Sequence, residues 1–259
     1  MMLMNLNNIT MRFGGLTALS DIRIQIEKGD LVGLIGPNGS GKTTLFNVIT
    51  GIYKPTHGTV YFNNENITGL RPDLVAKKGI ARTFQNIMLL KALSVLDNVM
   101  VACHVRLQSS WIGAVLRVPG FVKEEKLMKE KSNHLLEIVG LQNKRHFPAE
   151  SLPYGEQRRL EIARALAVNP ELLLLDEPAA GMNPQETQSL MDFIIDIKQK
   201  LGLTILIIDH DMKVIMGICR WMVVLDSGEI IARGTPNEIQ NNTKVIQAYL
   251  GVMHDAQDN

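Results

Sequence analysis

The run Gly36-Pro37-Asn38-Gly39-Ser40-Gly41-Lys42-Thr43-Thr44 constrains this chain more than any other stretch of it. It fits the pattern G-x-x-x-x-G-K-[ST], which works only between a buried strand and a helix. Leu31 to Ile35 provides the strand, an apolar run without alternation, as expected where both faces of a parallel sheet are covered. Glycines let successive backbone N–H groups turn inward as an anion nest, and the following helix aims its positive end at the same point. Gly36 through Thr44 are therefore expected to cradle nucleotide phosphates, with Lys42 on the outer phosphates and the Thr43 hydroxyl on magnesium.

A second motif supplies the acids. Leu172-Leu173-Leu174-Leu175-Asp176-Glu177 sets two carboxylates at the carboxyl end of another buried strand, where open α/β sheets keep their ligands. Asp176 would hold the metal, directly or through water. Glu177 can then orient, or take a proton from, the water attacking a terminal phosphate in line. Thr204 to Ile208 is a third buried run and ends in Asp209-His210, so His210 could reach the terminal phosphate from the same edge.

Around these motifs the periodicity changes. Ile22, Ile24 and Ile26 alternate with Arg23, Gln25 and Glu27, the period of a strand with one wet face. Thr59 to Phe62 with Asn63-Asn64 reads as another strand and turn, and Val223 to Leu225 with Asp226-Ser227-Gly228 as a late hairpin. Asn183-Pro184-Gln185-Glu186 and Thr235-Pro236-Asn237-Glu238 each predict a helix start with a cap, a first-turn proline and a glutamate three residues on. Leu190, Phe193, Ile194, Ile197 and Leu201 then form one apolar stripe. Between Ser94 and Leu141 the character shifts to a mostly helical lobe containing Trp111 to Phe121 and the charged run Lys123 to Lys131, expected to be a solvated helix face.

Leu152-Pro153-Tyr154-Gly155-Glu156-Gln157-Arg158-Arg159-Leu160 is the third motif. With the other two it resembles the nucleotide-binding domain of the ABC family, whose pattern here is LSGGQ at the start of a helix. That resemblance implies an ATPase using ATP and Mg2+, with a second ATPase subunit docked head to tail so that Tyr154, Gly155 and Glu156 meet the nucleotide of the other copy. It further implies that Phe13 stacks on adenine, that Gln85 senses magnesium and transmits motion, that Ala180 to Asn183 face the second subunit, and that His210 acts at the terminal phosphate. The implied fold is an α/β P-loop NTPase core with a mixed, largely parallel sheet, an antiparallel β subdomain and a helical subdomain. The chain would be one domain over 1–259, with a RecA-like core and antiparallel β region in 1–93 and 167–250, the helical subdomain in 94–166 and a tail in 251–259. Pro153, Tyr154 and Glu156 depart from the signature pattern, so a reshaped phosphate contact is expected. Asn183 stands where the family often has aspartate, and its capping role alone could explain it.

Met11-Arg12-Phe13-Gly14-Gly15-Leu16, Arg82-Thr83-Phe84-Gln85-Asn86, the segment around Trp111 to Phe121, Tyr154 to Arg164 and Pro178 to Pro184 are similar to ATPase subunits of bacterial branched-chain amino-acid importers. Expected partners are then two membrane permease subunits, a second ATPase subunit forming a homo- or heterodimer, and indirectly a substrate-binding protein. The expected location is peripheral, on the cytoplasmic face of the cell membrane. Urea and amide importers share this architecture. With 27 Lys and Arg against 26 Asp and Glu, the chain has no field to hold nucleic acid, which weighs against an ABC ATPase acting on DNA or ribosomes. A purely regulatory nucleotide-binding subunit is disfavoured by Lys42, Asp176, Glu177 and His210 together, and a phosphate-loop kinase by the signature helix. Cys103 and Cys219 lack metal or disulfide spacing and are expected in the core. Neither an export signal at the opening of the chain nor a sensor domain after Leu250 is expected.

Overall fold

The alternation at Ile22, Ile24 and Ile26 places those side chains inside while Arg23, Gln25 and Glu27 stay outside. They lie on β2 (Leu16–Glu27), which pairs antiparallel with β1 (Met2–Phe13). β1 also pairs antiparallel with β4 (His57–Phe62), and β4 turns at Asn63-Asn64 into β5 (Glu65–Asn66). Both asparagines adopt positive φ, 49° and 63°, as a tight two-residue hairpin turn requires. The result is a four-stranded sheet ordered β2-β1-β4-β5. The computed structural model describes residues 1–103, 119–209 and 212–255.

The apolar runs build a second, six-stranded sheet, β10-β9-β3-β8-β7-β6. Its parallel members are β3 (Leu31–Ile35), β6 (Ile80–Arg82), β7 (Leu172–Asp176), β8 (Thr204–Ile208) and β9 (Trp221–Asp226). β10 (Glu229–Gly234) returns antiparallel beside β9. The late hairpin is therefore not separate from the parallel sheet: its first strand extends that sheet next to β3.

Strand period explains why these runs show no polar face. Along β3, Val32 and Leu34 enter one core with α1 (Lys42–Ile49), through Leu45, Phe46, Val48 and Ile49, and with the inner face of the antiparallel sheet. Leu31 and Ile35 enter another core beneath α5 (Tyr154–Leu166), α6 (Pro184–Leu201) and α7 (Met212–Ile218). Each face is covered, so each residue must be apolar. A short helix, α2 (Pro72–Lys78), precedes β6. α3 (Val95–Cys103) and α4 (Pro119–Ile138) bring Val95, Val99, Leu135 and Leu136 into the core that holds α5, so helical lobe and sheet share one apolar cluster. α8 (Pro236–Gln240) and α9 (Thr243–Asp255) follow the hairpin. Both cysteines are buried. No helix of the described residues is long and apolar enough to cross a membrane.

Both expected caps form. The Asn183 carboxamide oxygen accepts from Gln185 N and Glu186 N at 3.0 Å each, while Glu186 Oε2 accepts from Asn183 N at 3.1 Å. Thr235 and Glu238 repeat the arrangement at α8. On α6 the stripe Leu190, Phe193, Ile194 and Ile197 is buried. Leu201, expected in that stripe, is 38% exposed because it sits in the last turn, where Gly202 at φ 63° ends the helix. On α4, Glu125, Lys126, Lys129 and Glu130 are exposed around a buried Met128, so the middle of the charged run is a solvated face, while half-buried Lys131 donates to Ala167 O. Residues 104–118, which include Trp111 and most of the segment to Phe121, lie outside the described residues.

Asn183→Ala removes two accepted amides at the start of α6 and should lower the unfolding free energy by about 1 kcal/mol. Asn183→Asp should cost little, since it keeps the acceptor and adds a favourable charge at a helix amino terminus. Urea denaturation with an unchanged slope checks both.

Candidate functional site

The loop after β3 is shaped by chain far from it in sequence. A Cβ on Gly36, at φ 153°, would lie 2.0 Å from the Leu225 carbonyl oxygen of β9. Gly41 caps α1 in the left-handed region at φ 105°, and a Cβ there would lie 2.8 Å from the Ala18 carbonyl of β2. Other residues would meet that left-handed cost, about 1–2 kcal/mol, on top of the clash. Gly228 N donates to Ser40 O at 3.0 Å and Ser20 N donates to Gly228 O at 2.8 Å. Both hairpins thus press on the loop and hold its backbone curved.

Inside that curve, Lys42 is only 6% exposed and its Nζ donates to Gly36 O at 2.7 Å and Pro37 O at 2.8 Å. Burial pulls its ammonium below the ordinary lysine range, against the opposing charges of Glu177 and Asp176. Ser40 Oγ is buried without a hydrogen-bond partner among the described residues, while Asn38, Gly39 and Thr43 are exposed. No side chain caps α1, so its first amides point at this opening. A buried hydroxyl lacking a partner, a folded-back ammonium and an uncapped helix end together make a cradle for an anion.

A cavity of about 760 Å³ opens over this loop, walled also by Phe13, Gln85, Glu177, the start of β2 and the β9–β10 turn. Phe13 stands at its edge, 42% exposed, with its ring edge-to-face against Tyr53 at 5.3 Å. One ring face thus stays available for a flat ligand. Asp176 ends β7 and is 5% exposed. Arg82 Nη2 donates to its Oδ2 at 2.6 Å, and Arg82 Nη1 donates to Asn47 Oδ1 at 2.7 Å. The same guanidinium lies 5.3 Å from the Phe46 ring centre and 5.2 Å from that of Phe84. Glu177 takes φ 44°, strained for a residue other than glycine, with its N–H donating to Ile208 O at 2.8 Å. Gln85 Nε2 donates to Glu177 Oε2 at 2.9 Å.

Tyr154, Gly155 and Glu156 are not in the wall of that cavity. They form the first turn of α5, which starts directly after Pro153 with no side-chain cap. Pro153 thus occupies the cap itself. Glu156 would oppose an anion at this end, but Lys144 Nζ donates to both of its carboxylate oxygens, at 2.7 and 2.6 Å. The Tyr154 hydroxyl donates to Ala180 O at 2.9 Å. His210 lies outside the described residues.

Sequence reasoning missed Arg82, Asn47, Arg158 and Glu161, and the walls contributed by Leu16, Thr17, Ala18, Ser227 and Gly228. Arg82 did stand beside Gln85 in a distinctive run, and a buried acid such as Asp176 requires a counter-charge. Nothing in linear order pairs two residues 94 positions apart.

The family model described as ABC transporter matches residues 19–180. A second, described as Branched-chain amino acid ATP-binding cassette transporter, matches residues 229–255. The chain is 43% identical over 249 residues to the high-affinity branched-chain amino acid transport ATP-binding protein LivG of Escherichia coli (strain K12), covering 96% of this chain and 98% of that one. Among solved structures it superimposes on the ADP conformation of MJ1267, an ATP-binding cassette of an ABC transporter, with a TM-score of 0.85 at 35% identity, covering 97% of this chain and 99% of that one. The dimeric post-hydrolysis state of the ATP-binding cassette MJ0796 bound to ADP and Pi gives 0.74 at 26% identity over 90% of this chain and 99% of that one.

With side chains only 6% and 7% exposed, the Arg82–Asp176 pair is a buried ion pair. Arg82→Ala would strand the carboxylate and should lower stability by about 3–5 kcal/mol, measured by chemical denaturation.

Proposed function

The chain belongs to the ABC transporter family as one of its ATP-binding subunits, and from that premise we propose that it hydrolyses ATP to drive import of branched-chain amino acids through permease subunits made by other chains. The observation carrying the catalytic part is that Glu177, in strained backbone and hydrogen-bonded to Gln85, faces the Lys42 loop across one cavity. The amino-acid assignment is supported by the family match at 229–255 and by the likeness to LivG.

In this reading adenine lies on Phe13 and the phosphates occupy the nest from Gly36 to Thr44. Lys42 exchanges the Gly36 and Pro37 carbonyls for outer phosphate oxygens, and the unpartnered Ser40 hydroxyl gains an acceptor. Glu177 orients the attacking water and receives its proton as the water oxygen bonds to the terminal phosphorus and the bond to the bridging oxygen of ADP breaks. His210 is assigned to the terminal phosphate by its place after β8.

Thr43, Gln85 and Asp176 offer a hydroxyl, an amide oxygen and a carboxylate, an all-oxygen set that fits a hard cation. Mg2+ bound there would neutralise charge on the outer phosphate oxygens. Because Arg82 already holds one oxygen of Asp176, that residue is assigned an indirect, water-mediated role.

The dimeric relative supports pairing of two subunits. In this reading the pair is head to tail, and the uncapped start of α5, from Tyr154 through Gly155 to Glu156, approaches the nucleotide of the second subunit with its backbone, while the Tyr154 hydroxyl stays within its own chain. A groove of about 270 Å³, bounded by Ile52, Phe84, Met88 and Arg164, lies against the Gln85 segment. Phe84 and Met88 are 40% and 61% exposed, apolar surface of the kind that interfaces cover. This groove is assigned to the permease, so movement of Gln85 at the nucleotide is felt one residue away at the membrane partner. The subunit then sits peripherally on the cytoplasmic face, with a substrate-binding protein acting only through the permease.

Glu177→Gln should bind ATP with unchanged affinity and hydrolyse it about 10²- to 10⁴-fold more slowly. Equilibrium nucleotide binding and phosphate release measure the two; normal turnover would remove Glu177 from the reaction. In membranes carrying the co-expressed permease and binding protein, leucine, isoleucine or valine should raise ATPase activity while urea does not. The reverse pattern would reassign the cargo.

A further inference from the structure

Arg158 is 2% exposed and has more partners than a buried cation needs for neutrality. Its Nη1 donates to Phe84 O at 2.8 Å and to Glu161 Oε2 at 2.9 Å, and its Nη2 donates to Gln85 O and, at 3.3 Å, to the Tyr154 hydroxyl. Glu161 Oε1 accepts from Phe84 N at 3.3 Å, so the backbone entering Gln85 is gripped through both its N–H and its carbonyls. The guanidinium also lies 5.7 Å from the centre of the Tyr154 ring.

Followed onward, these bonds close on themselves. The Tyr154 hydroxyl donates to Ala180 O at 2.9 Å, and Ala180 N donates to Glu177 O at 3.2 Å. Glu177 Oε2 in turn accepts from Gln85 Nε2 at 2.9 Å, and the Gln85 carbonyl returns to Arg158. The circuit therefore runs Glu177, Gln85, Arg158, Tyr154, Ala180 and back to Glu177. It holds Glu177 by its side chain and by its own loop at once. A residue at φ 44° persists only where its surroundings over-determine it, and this circuit does so.

We propose that Tyr154 and Arg158 are positioning residues that fix Glu177 and Gln85 relative to each other, with the Tyr154 hydroxyl as the bond that closes the circuit. This rests on the reading of Glu177 as the residue that activates water. It also explains a departure from the family pattern: where that pattern has glycine, a hydroxyl is needed, and its target is a carbonyl of the same chain instead of a phosphate. Tyr154 further lies at the start of α5 and Ala180 in the segment expected to face the second subunit, so docking of that subunit acts on both ends of one bond.

Tyr154→Phe keeps the ring over Arg158 and deletes only the closing bond. In the full-length chain, kcat should fall about 3- to 10-fold, the effect of one hydrogen bond expressed only at the reacting geometry, while KM for ATP and the melting temperature stay unchanged. Tyr154→Phe combined with Gln85→Ala should be no slower than Gln85→Ala alone, because the circuit is already open. A raised KM with normal kcat would make Tyr154 a nucleotide contact and overturn the proposal, as would an unchanged kcat or losses that multiply in the double variant. If melting falls in Tyr154→Phe, the double variant still decides, since a general loss of stability multiplies and a shared circuit does not. Glu177→Gln assayed alongside separates the premises: normal hydrolysis in it defeats the reading of Glu177, whereas an inactive Glu177→Gln beside a fully active Tyr154→Phe defeats the circuit alone.

Discussion

A single buried guanidinium organises the catalytic end of this molecule. Arg82 leaves the last position of β6, neutralises Asp176 at the end of β7, bonds Asn47 on α1, and lies over the rings of both Phe46 and Phe84. Its cost is desolvation of two charges, which only good geometry and further hydrogen bonds offset. That geometry ties two neighbouring strands, the helix after the phosphate loop and the segment leading to Gln85 into one unit. Without the pair, Asp176 would be a buried carboxylate stripped of its guanidinium partner.

From that anchor, the two sheets set the phosphate loop from opposite sides. The β1–β2 and β9–β10 hairpins leave no space for side chains at Gly36 and Gly41, so the loop amides are turned toward the ligand before any ligand binds. Such preorganisation means binding need not meet the entropy of shaping the loop. The contrast among helices points the same way. α6 and α8 satisfy their first amides with side chains, whereas α1 and α5, the two helices assigned to phosphate, carry no side-chain cap, and neither does the short α2.

Much of the site was legible in linear order because its pieces are local. Gly36 to Thr44 is a continuous loop, Asp176-Glu177 a continuous strand end, and Asn183 and Thr235 cap the helices they begin. Leu201 shows where local pattern misleads: helical spacing continues to it, but packing stops a turn earlier. Tyr154 shows a second kind of failure. Its position in the signature pointed toward phosphate, and the hydroxyl instead meets Ala180 O, a partner supplied by a loop after β7.

By itself the sequence determined the elements whose physics is complete within a few residues: strand period, helix caps, the glycine nest and the acid pair at a strand end. It also determined that both faces of the parallel sheet are covered, since apolar runs have no other use in water. Only the tertiary structure decided how the late hairpin joins β3, which cation neutralises Asp176, where the Tyr154 hydroxyl goes and how Arg158 grips the backbone at Gln85. These are pairings between distant segments. The free energy of a buried charge or hydroxyl depends on what surrounds it in space, and sequence neighbours do not specify that.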